Sequence, residues 1–132
     1  MALKPKSQFR EPTAVEGALL HRLLEADFPG RSELAALRRN VLVRIIDENG
    51  GSELEGQIEG KASVMKRVPV ETEGKDEDGA NIHMHLHVNE GRPVELELFR
   101  EDAVTVKRVP PPSAIELIVL PPMPDGGWAN HP

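Results

Sequence analysis

Asn81-Ile82-His83-Met84-His85-Leu86-His87-Val88, then Asn89-Glu90-Gly91, then Arg92-Pro93-Val94-Glu95-Leu96-Glu97-Leu98-Phe99: this stretch decides how the chain is read. Ile82, Met84, Leu86 and Val88 alternate with Asn81, His83, His85 and His87. Val94, Leu96 and Leu98 alternate with Glu95 and Glu97. Period two sends successive side chains to opposite faces of a strand. The stretch therefore reads as a β-hairpin with one apolar and one polar face. A three-residue loop, Asn89-Glu90-Gly91 with Gly91 left-handed, keeps the faces in phase. It sets Val88 opposite Arg92, Leu86 opposite Val94, Met84 opposite Leu96 and Ile82 opposite Leu98. On the polar side it sets His85 opposite Glu95 and His83 opposite Glu97. A two-residue turn at Glu90-Gly91 sets apolar against polar along the whole ladder, so the hydrophobic pattern selects the longer loop.

Upstream, Val41 to Ile46 is a β-branched run followed by Asn49-Gly50, a strong hairpin signal. A two-residue turn there sets Ile45 opposite Leu54, Val43 opposite Gly56, Val41 opposite Ile58 and Arg44 opposite Glu55. A third strand is expected over 62–71, with Pro69 marking an edge or a bulge. Residues 73–79 read as an acidic, glycine-bounded loop. Thr13-Ala14-Val15-Glu16 is a capping box that starts a helix running to about Asp27. Val15, Leu19, Leu20, Leu23 and Leu24 form its apolar stripe. Phe28-Pro29-Gly30 stops it, and Ser32 is placed to cap a second helix from Glu33 to Arg39. Downstream, Ala103–Val109 follows a turn at Glu101-Asp102, and a nearly all-apolar strand at 115–120 reads as buried on both faces or packed under the helices. The expected architecture is α+β: an N-terminal helical hairpin, then an antiparallel β-meander of about six strands. One domain at 13–120 is flanked by a flexible N-terminus at 1–12 and a Pro/Gly-rich tail at 121–132.

Composition excludes several classes. The chain has 132 residues and a net charge of −6, which opposes nucleic acid and anionic membranes as partners. Three Phe, one Trp and no Tyr leave little to stack on single-stranded bases. The absence of Cys removes disulfides, thiolate catalysis and the common structural zinc sites. The first twelve residues hold no apolar run of the kind a signal peptide or membrane span needs, so a cytoplasmic protein is expected.

His83, His85 and His87 are the chemically dense group. Alternate strand positions project from one face about 6.6–7 Å apart. Neighbouring histidines at that spacing can share a metal ion, and Glu95 or Glu97 across the ladder completes a His/His/carboxylate set suited to Zn²⁺, Mn²⁺ or Fe²⁺. The competing reading is a solvated polar face with cross-strand His–Glu pairs. Such pairs are expected to raise the histidine pKa values. The loop Asp76-Glu77-Asp78-Gly79 lacks the ligand spacing of a calcium loop. Five serines lie in no nucleophile elbow, and no phosphate loop or dinucleotide fingerprint is present, so no catalytic residue is assigned. Trp128 in the tail reads either as a docking element for a partner or as a cover for the core.

Ala26-Asp27-Phe28-Pro29-Gly30, the segment Arg67-Val68-Pro69-Val70-Glu71 with its Asp76/Asp78-Gly79 loop, and Ile82–Arg100 (Leu86-His87-Val88, Gly91, Glu95-Leu96-Glu97, Arg100) together resemble a family of small bacterial proteins known only as a domain of unknown function. The resemblance implies a bacterial, cytosolic α+β domain and brings no activity. The expected function is binding, to a protein partner or a small ligand, through the face with His83, His85, His87, Glu95 and Glu97. The alternatives are a divalent metal such as zinc on that face, serving a metal-binding module or an enzyme, and self-association into a homodimer.

Overall fold

The computed structural model describes residues 9–56, 60–64 and 66–119. Among these residues two helices, α1 (Ala14–Leu23) and α2 (Arg31–Arg38), precede six strands: β1 (Val41–Ile45), β2 (Ser52–Gly56), β3 (Glu71–Lys75), β4 (Asn81–Asn89), β5 (Arg92–Arg100) and β6 (Glu116–Ile118). The strands form one antiparallel sheet in the order β1-β2-β5-β4-β3-β6. Only β3-β4-β5 follow one another as a meander. The β1–β2 hairpin docks on the free edge of β5, and β6 closes the edge of β3.

The α1 capping box forms as expected: Thr13 Oγ1 accepts from Glu16 N–H at 3.1 Å, and Glu16 Oε1 accepts from Thr13 N–H at 2.9 Å. Arg10 adds an ion pair to Glu16 at 2.6 Å and pairs through its backbone with Val43. The buried stripe starts at Leu19; Val15, in the first turn, is exposed. α2 begins one residue before Ser32. Its N-cap is Gly30 at φ 84, and the Glu33 carboxylate accepts instead from Ser63 N–H at 2.9 Å.

Leu19, Leu20, Leu23, Leu24 and Leu34 of the helical half share one core cluster with Val41, Val43, Leu54, Ile82, Met84, Leu86, Leu96 and Leu98 of the sheet. The helices thus cover one sheet face, and the histidines lie on the other.

Both hairpins differ from expectation by two residues in register. Val43 faces Leu54 and Arg44 faces Glu53. The β1–β2 loop is longer than two residues because Ile46 N–H donates to Gly51 C=O, while the Asp47 carboxylate accepts from the N–H groups of Asn49 and Gly51. In the central hairpin the turn is the two-residue Glu90-Gly91, with φ of 51 and 75, as a type I′ turn needs. A β-bulge between the His87 and Val88 pairings absorbs the odd residue: Val88 pairs Pro93, and His87 pairs Glu95. The faces stay in phase, and His85 now faces Glu97 while His83 faces Phe99.

Three strand assignments shift. Residues 62–64 and 66–70 carry no strand; they are strapped on by Ala62 N–H to Gly91 C=O (2.8 Å) and Val88 N–H to Arg67 C=O (2.7 Å). The third strand lies instead in the acidic segment, where Glu71 and Glu73 point outward and Thr72 and Gly74 inward. Its inward positions lack large apolar groups because Thr72 satisfies its hydroxyl on Met84 C=O (2.9 Å) and Gly74 lies under Pro110. Residues 103–109 make no strand, and β6 is a three-residue edge strand with Glu116 exposed, not a segment buried on both faces.

Candidate functional site

The register brings a charged array to the sheet face opposite the helices. Residues paired across a ladder share a face. Glu116, Glu73, His83 and Phe99 form one row, and Ile118, Glu71, His85 and Glu97 the next. His87, Glu95, Glu53 and Arg44 form a third. The side chains of His83, His85 and His87 are only 20%, 20% and 19% exposed, too little for a freely solvated surface. Phe99 packs against both His83 (centroids 5.2 Å apart, stacked) and His85 (5.3 Å, edge-on).

Glu97 lies between two histidines. Its Oε1 is 2.8 Å from His87 Nε2 and 3.8 Å from His85 Nδ1. The donor atoms of His85, His87 and Glu97 all lie within 4.8 Å of one another. A second group, Glu73, His83 and Glu101, meets the same limit. The structure therefore brings together His85, His87 and Glu97 of the five expected residues. His83 joins different partners. Glu95 pairs with His87 and Glu53 in register but belongs to neither group. Trp128 and the tail at 121–132 lie outside the described residues.

Electrostatics corrects one expectation. Burial lowers the His85 pKa and outweighs the raising effect of Glu71 and Glu97. The ring is therefore held neutral, with a lone pair to give. Arg67 acts on His87: its Nε–H donates to Nδ1 at 3.3 Å. That partner places the His87 proton on Nε2, which donates to Glu97.

Sequence reasoning missed a cluster built on an inward-facing arginine. Arg100, paired with Ile82 and buried, donates to Asp76 (3.1 Å), Asp78 (2.9 Å) and Asp102 (2.6 Å). Burial pushes the Asp76 carboxyl up, but N–H donors from Lys107, Glu77 and Arg108 and the Arg100 guanidinium outweigh it and hold the group at about 2. The signal was present: Arg100 continues the inward series Leu96, Leu98, and an inward arginine needs carboxylates. The acidic loop supplies them, so Asp76 and Asp78 are structural anchors.

Among the described residues no helix is long and apolar enough to cross a membrane. The family model of a domain of unknown function (DUF6984) matches residues 9–110, and the chain belongs to that family. No curated protein and no solved structure matches it.

Proposed function

We propose that this member of a family without an assigned activity is a small binding domain whose His/Glu sheet face seats a divalent transition-metal ion at His85, His87 and Glu97. The observation that carries the reading is the convergence of two imidazoles and one carboxylate within 4.8 Å. Bonds of about 2.0–2.1 Å place tetrahedral donors about 3.3 Å apart, so side-chain rotation alone closes the set. Two imidazoles and a carboxylate suit zinc and leave an open position for water or a second molecule.

Arg67 opposes the ion. Metal at His87 Nε2 moves the ring proton to Nδ1, which then points at the Arg67 N–H. Uptake therefore requires Arg67 to withdraw.

The test is calorimetric titration of the chelator-stripped full chain with zinc. A saturable equivalent that disappears in His85→Ala and tightens in Arg67→Gln supports the reading. An isotherm unchanged by His85→Ala overturns it and leaves the face to a protein partner or a metal-free ligand, whose binding a chelator does not affect.

A further inference from the structure

The group next to the first triad carries its own chemistry. Glu73 of β3 faces His83 of β4 across the ladder. His83 Nε2 lies 2.5 Å from Glu101 Oε2, just past the end of β5. Asn81 Nδ2 donates to the same Glu101 oxygen at 3.4 Å, and Phe99 stacks on the His83 ring, so both donors are oriented. Glu116 faces Glu73 from β6 and adds a further carboxylate to the row. Carboxylates facing one another across strands repel, and a bound cation relieves that repulsion. The His83 and His85 ring centroids are 6.4 Å apart, and the two groups share no residue.

We propose that Glu73, His83 and Glu101 form a second, separate divalent-cation site, so that the strand carries two ions side by side. The proposal rests on reading this face as cation-binding. One imidazole with two carboxylates is a harder donor set than two imidazoles with one, so this site favours Mn²⁺ and Fe²⁺ over the preference of its neighbour.

The experiment pairs zinc calorimetry with Mn²⁺ binding followed by electron paramagnetic resonance, each ion alone. It uses the wild type, His85→Ala, the isosteric double variant Glu73→Gln/Glu101→Gln, and His83→Ala. Circular dichroism melts establish that each variant is folded. Support is two zinc equivalents in the wild type and one in each of His85→Ala and the double variant. Mn²⁺ binding should survive His85→Ala and weaken at least tenfold in the double variant and in His83→Ala. If one equivalent vanishes in His85→Ala while the glutamate variant binds both ions like the wild type, the second site is refuted and the first stands. If His85→Ala loses nothing and the double variant loses the sole equivalent, the first reading fails and this one holds. Loss of all binding in either variant means one shared ion and overturns the proposal.

Discussion

Gly91 and Gly50 occupy equivalent backbone strain in different surroundings, which allows the packing of the central turn to be measured. Both lie in the left-handed region, at φ 75 and φ 88. Alanine there costs about 1–2 kcal/mol for backbone strain alone. A Cβ at Gly50 meets nothing within 4 Å, so Gly50→Ala should cost about that and no more. A Cβ at Gly91 lies 2.3 Å from the carbonyl oxygen of Ala62. Ordinary C···O contact begins near 3.3 Å, so the strap must retreat by about 1 Å. That movement breaks the 2.8 Å bond from Ala62 N–H to Gly91 C=O. Ala62 is buried, and an unsatisfied buried N–H costs about 1–3 kcal/mol. Gly91→Ala should therefore cost about 2–5 kcal/mol in total, about 1–3 more than Gly50→Ala. With an m-value of about 1.5 kcal/mol/M, the urea midpoint should fall about 0.7–2 M further in Gly91→Ala than in Gly50→Ala. Urea unfolding followed by circular dichroism reads the difference. Equal midpoints with equal slopes would show that the strap does not bear on the turn, and the reasoning would fail.

Two other expectations concern pH. The lowered Asp76 pKa contributes stability above the unfolded carboxyl value of about 4, and that contribution is lost as pH falls toward about 2. Melts from pH 7 to pH 2 should show the wild type losing Tm through this window, with Asp76→Asn starting lower and declining less; parallel curves would contradict the assignment. The lowered His85 pKa works in the same sense: its contribution is complete above about 6.5 and is lost as pH falls below it. A proton NMR titration should place His85 below the free imidazole value, and a midpoint above it would reverse the balance between burial and Glu71 and Glu97.

The hairpin was legible because Ile82, Met84, Leu86 and Val88 keep period two without interruption. Its register was not, because a shift of two residues preserves every face. A three-residue loop and a two-residue turn with a bulge are equivalent to the pattern. Pro93 was the available discriminator, since proline in a paired strand points to an edge or a bulge. The shift exchanged the partners of the histidines and moved Glu97, not Glu95, between His85 and His87. β3 was illegible for a different reason: Thr72 and Gly74 hold its inward positions, so polarity does not alternate. The alternation of Val64, Val68 and Val70 imitated a strand, yet the described backbone around it makes single contacts, Ala62 to Gly91 and Val88 to Arg67, in place of a ladder. Glu101 escaped notice because it lies beyond the strand and reaches His83 from the side.

The backbone that Asp76 holds, at Lys107 and Arg108, is the approach to β6. A carboxylate in the turn before β4 thus helps to hold the approach to the outermost strand, alongside the pairing of that strand with β3 and the bond from Arg22 to Ile115 C=O. That outermost strand is the sheet's own edge guard: undocked, it would leave β3 with a bare row of N–H and C=O groups. Such a row is a template for a neighbouring chain. The three residue pairs between β3 and β6 keep that template covered at Glu71, Thr72 and Glu73.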